Sequence, residues 1–207
     1  LRARDPEVER ELHAAERETE RLARLLAELL TLARERERPA AEPVALADVA
    51  EAARERWEGP AERSGHVLRL DGDGPAVVAS TPEDLGVMLD NLVENAIHYS
   101  PRGATITIEW GGGDVARLAV LDEGPGVDPD EHERVFERFY RGAAAGGTGG
   151  TGLGLPVVEA LARRWGGEVT LRNRAEGGAR MEVTLPLHPE GLPNPEPALD
   201  EALPKRG

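Results

Sequence analysis

Cysteine is absent from the chain, which excludes disulfide bonds and metal sites built on thiolates. Aromatic residues make up only 3% of the 207 residues, so aliphatic side chains must fill most of any core. No apolar run approaches the roughly 18 residues of a membrane-spanning helix. Positive charge is also in short supply, and the formal net charge is -14. Because such a surface repels phosphate backbones, general nucleic-acid binding is disfavoured.

Residues 1–38 have the pattern of one long amphipathic helix that begins near Asp5-Pro6-Glu7 and ends before Pro39. Its apolar and small residues recur alternately three and four positions apart, as in a heptad seam: Leu12, Ala15, Thr19, Leu22, Leu26, Leu29 and Ala33. So long and narrow a stripe favours a helix of an intermolecular bundle over a helix that lies on its own domain. Because the pattern is already helical at Leu1, we expect the chain to be part of a longer protein.

The remainder of the chain predicts short strands and helices joined by turns. A linker at 39–43 leads into a domain at 44–188, and the prolines beyond Leu187 predict a disordered tail at 189–207. Predicted helices cover 47–57 (closed by Gly59-Pro60), 82–99, 130–140 and 154–165. Predicted strands cover 44–46, 66–70, 76–79, 105–110, 115–121, 168–174 and 180–186. Locally paired strands with helices gathered between them indicate an α+β fold, a two-layer α/β sandwich.

The helix at 82–99 has a strong start signal, because the segment from Thr81 to Asp84 fits a capping box. One stripe of this helix is apolar: Leu85, Met88, Leu89, Leu92 and Ala96. Asn91, Asn95 and His98 fall together on a neighbouring face. The carboxamide oxygen of Asn95 is a ligand that Mg²⁺ accepts, and a protonated His98 can offer charge to a phosphate. On their own, such residues are more often solvated, so this face is only a candidate for one side of a ligand-binding site.

Two glycine-containing segments add further candidates. Asp122 follows an apolar strand, where its carboxylate can accept a hydrogen bond from an adenine amino group, while Gly124 and Gly126 let the backbone approach a base. The alternative for this segment is an ordinary β-turn. Residues 149–155 open a helix, and their N–H groups together with the helix N-terminus can hold phosphates. The alternative is a flexible linker, but the apolar residues at the point where the segment enters the helix disfavour it.

Four segments, taken in order, resemble the N box, first glycine box, F box and second glycine box of sensor histidine kinases. They are Asn-Leu-Val-Glu-Asn-Ala-Ile-His-Tyr (91–99), Asp-Glu-Gly-Pro-Gly (122–126), Phe-Glu-Arg-Phe-Tyr-Arg (136–141) and Gly-Thr-Gly-Leu-Gly-Leu (150–155). Each segment is a modest signal, whereas all of them in this order are highly specific. The resemblance covers roughly residues 8–186 and implies an ATP-binding domain in which a mixed sheet is backed by helices.

The resemblance also implies a role for each matching position. Asn95 would be the Mg²⁺ ligand, Asp122 would bind adenine with Gly124 and Gly126 beside it, and Tyr99 would pack near the ribose or adenine. Arg141 would reach the terminal phosphate. His98 stands where the family usually has a lysine that touches phosphates, which would make that contact pH-dependent. Backbone N–H groups for the phosphates would come from the second glycine box: Gly150, Thr151, Gly152, Leu153 and Gly154.

One position separates kinases from the hydrolases that share this fold. In gyrase-type, chaperone and mismatch-repair ATPases, a glutamate one turn before the Mg²⁺ asparagine activates water, and here that position is Asn91. An amide cannot act as a base, so the resemblance favours phosphoryl transfer by Asn91, Asn95 and Arg141 over hydrolysis. Glu94 lies on the same helix and is expected to be exposed. We expect a lid at about 142–151 that is disordered without nucleotide and becomes partly ordered with it.

The first 38 residues resemble the second helix of the family's dimerisation and phosphotransfer hairpin. The box that carries the acceptor histidine is missing, and His13 lacks the flanking residues of that box. We therefore expect the acceptor upstream of Leu1 and His13 to face solvent. The resemblance implies a homodimer that passes phosphate to a response regulator. It also implies the cytoplasmic portion of an inner-membrane sensor, attached through segments upstream.

Three alternatives remain at this point. The chain can be an ATPase of the same fold or a Ser kinase of the anti-sigma type, although the latter lacks a heptad helix ahead of the boxes. It can also be a degenerate module that binds nucleotide or dimerises without activity, which His98 and the missing acceptor box support.

Overall fold

The computed structural model describes residues 40–142 and 152–189. Within them, the helices are α1 (Leu46–Ser64), α2 (Pro82–Tyr99) and α3 (Gly154–Arg164). The strands are β1 (Glu42–Ala45), β2 (Val67–Asp73), β3 (Val77–Ser80), β4 (Thr105–Gly111), β5 (Ala116–Leu121), β6 (Glu168–Asn173) and β7 (Ala179–Leu185). The predicted helix at 1–38 with His13, and nearly all of the predicted lid and of the predicted tail, lie outside the described residues.

The main sheet has five strands in the order β2-β4-β5-β7-β6. Only β2 and β4 run parallel, with Val67 opposite Thr105, and the other neighbours are antiparallel. Strands β1 and β3 form a separate antiparallel pair. The helices pack against this mixed sheet through one continuous apolar core. The predicted α+β fold is confirmed.

Helix α2 lies at the centre of that core. The predicted stripe is completely buried, at 0% exposure for every member: Leu85, Met88, Leu89, Leu92 and Ala96. It packs against sheet residues that are equally buried, among them Ile106, Ile108, Leu118, Val120 and Val183. Burial of each large aliphatic side chain contributes about 1.5–3 kcal/mol. This packing fixes the rotation of α2 and thereby the direction of its polar face.

The ends of α2 follow the sequence prediction with one difference. The Thr81 hydroxyl accepts the Asp84 N–H at 3.1 Å, and the helix ends before Ser100, whose N–H donates to the Ala96 carbonyl. The other half of the predicted capping box does not form. The Asp84 carboxylate instead accepts a hydrogen bond from Trp165 Nε1 at 2.9 Å, beyond the end of α3.

Helix α1 is longer than predicted, because Gly59-Pro60 does not end it. Proline lacks the N–H that would donate to the carbonyl of Arg56, but that residue is exposed and water can satisfy its carbonyl. Beyond the proline, Ala61 is completely buried, and the helix ends only at Gly65, which has φ +83°. Core packing therefore outweighs the local helix breaker. The predicted linker at 39–43 is likewise too long, because β1 begins at Glu42.

The helix predicted at 130–140 is wrong. The segment instead contains two short 3₁₀ turns, Pro129–Glu131 and Arg134–Phe136, held by bonds between residues three apart. Asp128 caps the first turn through the Asp130 N–H at 3.0 Å. A positive φ of 64° at Phe139 then redirects the chain, which no continuous helix permits.

Candidate functional site

A cavity of about 640 Å³ lies between α2, the loop after β5, the two 3₁₀ turns and the start of α3. Most of the predicted site residues that the structure describes line it: Asn91, Asn95, His98, Tyr99, Asp122, Gly126, Arg141, Gly152 and Gly154. Gly124 and Leu153 are not among the lining residues, and Gly150 and Thr151 lie outside the described ranges. Segments that are far apart in the sequence thus meet around one space.

Asp122 is a buried carboxylate at the end of β5, with 4% exposure. Its Oδ1 accepts the N–H of Gly124 at 2.8 Å and the N–H of Ala179 at 3.1 Å. Burial raises the pKa of this carboxyl group, and the two backbone donors together with the nearby Arg174 oppose that rise. Both backbone bonds end on Oδ1, so Oδ2 keeps its lone pairs for a ligand in the cavity.

Two glycines lie unusually close to Asp122, one to its backbone carbonyl and one to its carboxylate. A Cβ at Gly178, which has φ +86°, would lie 2.0 Å from the Asp122 carbonyl oxygen. A Cβ at Gly124 would lie 2.9 Å from the Tyr99 carbonyl oxygen and 3.0 Å from Asp122 Oδ1. Gly124 is not among the cavity-lining residues, and its N–H holds the Asp122 carboxylate.

The polar face of α2 forms one wall of the cavity. Asn91 donates from Nδ2 to the Val87 carbonyl at 2.7 Å, and its Oδ1 lies where a Cβ at Gly154 would come within 2.8 Å. Asn95 is half-buried, one turn further along. Exposed His98 and Tyr99 follow, with their rings edge to face and 4.8 Å between centroids. Asn91 therefore packs on the start of α3, while Asn95 and His98 present polar atoms to the cavity.

The N-terminus of α3 forms a second part of the cavity wall. Gly152 has φ +66°, and its carbonyl accepts the Phe139 N–H at 2.9 Å. A Cβ there would lie 2.8 Å from the Phe139 backbone, so only glycine fits. The first N–H groups of α3 have no partner within the helix, and they carry partial positive charge beside Gly154. This is the arrangement that binds phosphates.

The two 3₁₀ turns complete the rim. The Tyr140 hydroxyl donates to Glu131 Oε1 at 2.7 Å, and the Arg134 guanidinium lies 4.4 Å from the centre of the Tyr140 ring. The bond to Glu131 is the main cause of a raised Tyr140 pKa. The next residue, Arg141, lines the cavity. This hydrogen bond therefore holds the backbone immediately before the predicted phosphate-binding arginine.

Sequence reasoning missed two groups of lining residues. The first is apolar and comes mostly from β6, β7 and the second 3₁₀ turn: Leu171, Ala179, Met181 and Val135. Strand alternation predicts that such residues face the core, but not that part of this core borders a cavity. The second group is acidic: Glu94, Asp128 and Glu131. Glu94 is exposed as expected, yet it lines the cavity.

The described residues suit Mg²⁺ only as a partner of a phosphorylated ligand. No cluster of three or more His, Cys, Asp or Glu side chains that could hold a metal occurs in the described residues. The Asn95 carboxamide is one hard oxygen ligand at the cavity wall. Mg²⁺ commonly binds through one or two protein oxygens, with phosphates and water as its other ligands. The donor set therefore fits a magnesium ion that enters with its nucleotide.

Comparisons with known proteins give one family. Residues 80–189, more than half of the chain, match the family described as histidine kinase-, DNA gyrase B-, and HSP90-like ATPase. The sensor-like histidine kinase SenX3 of Mycolicibacterium smegmatis is 35% identical over 191 residues, which are 89% of this chain and 48% of that protein. The sensor histidine kinase CpxA of Escherichia coli is 33% identical over 193 residues, which are 91% of this chain and 42% of that protein. The chain thus spans about half the length of the curated relatives that it matches.

Solved structures agree. The mycobacterial sensor histidine kinase MprB aligns with a TM-score of 0.65 at 30% identity, over 72% of this chain and 99% of that chain. ShkA in complex with AMPPNP shares the fold at 23% identity with a TM-score of 0.68, over 90% of this chain and 40% of that one.

None of the helices in the described ranges has the length and apolar character needed to cross a membrane. These matches favour a sensor kinase over the ATPase and Ser kinase alternatives. The chain belongs to the histidine kinase-, DNA gyrase B- and HSP90-like ATPase family, and within it the chain is similar to sensor histidine kinases.

Proposed function

We propose that the cavity binds Mg²⁺-ATP and that the domain transfers the γ-phosphoryl group to a histidine on a partner helix. The observation that carries this proposal is the position of Asp122. Its buried carboxylate lines the same cavity as the N-terminus of α3. A nucleotide has a hydrogen-bonding base and anionic phosphates, so this cavity offers a partner for each part.

At the base end, Asp122 Oδ2 accepts the adenine amino group. Gly126, which has φ +75°, lines the cavity beside it, and a Cβ there would meet Asn173 Oδ1 at 2.8 Å, so this turn of the backbone requires glycine. The apolar side chains of Leu171 and Met181 contribute a surface that excludes water from the base. Tyr99 contacts the ribose or adenine from α2.

At the phosphate end, the helix N-terminus and backbone N–H groups of residues 150–154 bind phosphate oxygens. Arg141 spreads the charge that develops on the γ-phosphoryl group, and His98 adds charge when it is protonated. Asn95 holds Mg²⁺, which neutralises phosphate charge and orients the β- and γ-phosphates. The described cavity wall otherwise carries several carboxylates, so these groups are needed to attract an anionic substrate.

Asn91 leaves the site without a base for water. Its amide packs on Val87 and Gly154 and takes no proton. Catalysis then consists of positioning and charge neutralisation, which suits transfer to a protein nucleophile. The acceptor histidine comes from a helix upstream of Leu1, residues 1–38 form the second helix of the dimeric hairpin, and the phosphate passes on to a response regulator. In the whole protein this domain is the cytoplasmic portion of an inner-membrane sensor.

The test has two steps. Isothermal calorimetry should give Mg²⁺-dependent ATP binding by this chain, and Asn95→Ala, which removes the oxygen ligand, should reduce the dependence on Mg²⁺ while the protein stays folded. Radiolabelled ATP mixed with the chain and a peptide hairpin that carries an acceptor histidine should then label the hairpin. Release of free phosphate without labelling contradicts the kinase and indicates an ATPase. An absence of binding at millimolar nucleotide indicates an inactive module.

A further inference from the structure

Helix α2 carries two carboxylates that are held in the same way by its two neighbouring helices. Asp84 accepts Trp165 Nε1 at 2.9 Å and lies 3.4 Å from Arg164 Nη1, both at the end of α3. Asp90 accepts Trp57 Nε1 at 2.8 Å and Arg56 Nη2 at 2.8 Å, both on α1. In each case an adjacent arginine and tryptophan bind one aspartate. Asp84 is buried, with 7% exposure, whereas Asp90 is half-exposed.

We propose that Asp84 is a positioning residue that fixes α3 along α2 and so sets the place of the phosphate-binding N–H groups. The proposal deepens the proposed function and rests on it. Asp84 is not in the cavity and acts through α3 alone.

The contacts between α2 and α3 show why one residue can have this effect. Asp84 meets the end of α3 at Trp165, and Asn91, about two turns later on the same side of α2, meets its start at Gly154. The two helices are therefore antiparallel, with a hydrogen bond to Asp84 at the end of α3 and close packing of Asn91 against its start. Gly154 lies at the cavity, so the axial position of α3 is also the position of its N-terminal amides.

The buried residues of α3 are aliphatic: Val158, Leu161 and Ala162. Their packing sets how the helix lies against its neighbours, but an apolar contact has no preferred direction. A hydrogen bond to a carboxylate depends on distance and angle, so the contact with Asp84 adds a constraint on the axial position of α3 that aliphatic packing lacks. Buried ion pairs add little to stability compared with apolar packing. Their best attested role is to fix the position of one helix along another.

The chain supplies its own matched control, because Asp90 makes the same kind of contact to α1 instead of α3. Asp84→Ala and Asp90→Ala each remove one carboxylate from α2 and one tryptophan–arginine partnership. Neither residue lines the cavity. Only the first change releases the helix that carries the phosphate-binding amides, so the two variants separate positioning from a general loss of stability.

The experiment compares dissociation constants of Mg²⁺-ATP and adenosine for wild type and both variants by calorimetry. We expect Asp84→Ala to raise the constant for ATP about tenfold, equivalent to about 1.4 kcal/mol, and to leave that for adenosine within about twofold. Adenosine lacks phosphates and does not use the amides of α3. Asp90→Ala should leave the ratio of the two constants as in wild type.

A second variant covers the case in which Asp84→Ala does not fold. Asp84→Asn keeps an oxygen for the Trp165 N–H and removes the ion pair with Arg164, and it should weaken ATP about threefold with adenosine unchanged. An unchanged ratio of ATP to adenosine affinity in the folded Asp84 variants overturns the inference. So does an equal change of that ratio in Asp90→Ala. Wild-type protein that binds no ATP contradicts the proposed function as well, which distinguishes the two failures.

Discussion

Replacement of Asp122 by asparagine separates the binding role of this residue from its structural role. The two backbone N–H groups of Gly124 and Ala179 both donate to Oδ1. Only the oxygen of an asparagine can accept them, so the amide orientation is fixed. Its NH₂ group must then take the place of Oδ2 and face the adenine amino group as donor against donor.

The magnitude follows from what is lost. A hydrogen bond to a charged group contributes about 1.5–3 kcal/mol, so the Asp122→Asn variant should bind ATP about 10- to 150-fold more weakly. The free energy of unfolding should stay unchanged or rise, because burial penalises the carboxylate and the amide carries no charge. The same NH₂ group should donate to the carbonyl of hypoxanthine, so inosine triphosphate should lose far less affinity than ATP.

Calorimetric titration of both nucleotides, with a thermal melt of each protein, measures these quantities. Affinities for ATP within about threefold of wild type, in a variant that melts at the wild-type temperature or above, would refute the reasoning about Asp122. An equal loss for ATP and inosine triphosphate would also count against it, because the orientation of the amide would then not decide the base.

Three further outcomes follow from the same structure. Because the Asp122 pKa is raised above its ordinary value near 3.8, the stability contributed by this group should fall as pH rises from that value through the raised pKa. ATP affinity, measured by titration over the same range, should fall as pH is lowered through the raised pKa, and both trends should be smaller in the Asp122→Asn variant than in wild type. Gly178→Ala should lower the free energy of unfolding, measured in urea, by more than about 2 kcal/mol, since its Cβ would overlap the Asp122 carbonyl. The control Gly177→Ala, at a residue with φ +99° and nothing within 4 Å, should lower it by only about 1 kcal/mol. Equal losses in the two variants would contradict the overlap argument. Leu92→Ala, at 0% exposure, should cost about 2–5 kcal/mol in the same assay, and Val67→Ala, at 52% exposure, should stay within about 0.5 kcal/mol.

The parts of the fold that local chemistry decides could be predicted from the sequence. Helix α2 is the best example, because its cap at Thr81, its stop before Ser100 and its apolar stripe are all local patterns. The prediction at Gly59-Pro60 was wrong because burial of Ala61, a tertiary effect, outweighs the missing hydrogen bond. The prediction at 130–140 was wrong because a left-handed residue, Phe139, redirects the chain, and composition does not reveal it.

The candidate site divides in the same way. Polar residues of the four boxes were found because their order along the chain is specific. Leu171 and Met181 were missed because strand alternation gives the same pattern for a core and for the wall of a cavity. Asp84 was assigned to a capping box, since its sequence position suits a helix start, but its side chain bonds to a tryptophan 81 residues away. Contacts of that length leave no trace in one sequence.

The central claim is that one cavity holds the whole nucleotide, with the base at Asp122 and the phosphates at the start of α3. A crystal structure of this chain with Mg²⁺ and a non-hydrolysable ATP analogue tests it most directly. The account predicts the adenine amino group within hydrogen-bond distance of Asp122 Oδ2, with the triphosphate beside Gly152 and Gly154. Nucleotide bound elsewhere, or a cavity that stays empty at saturating analogue, would contradict it.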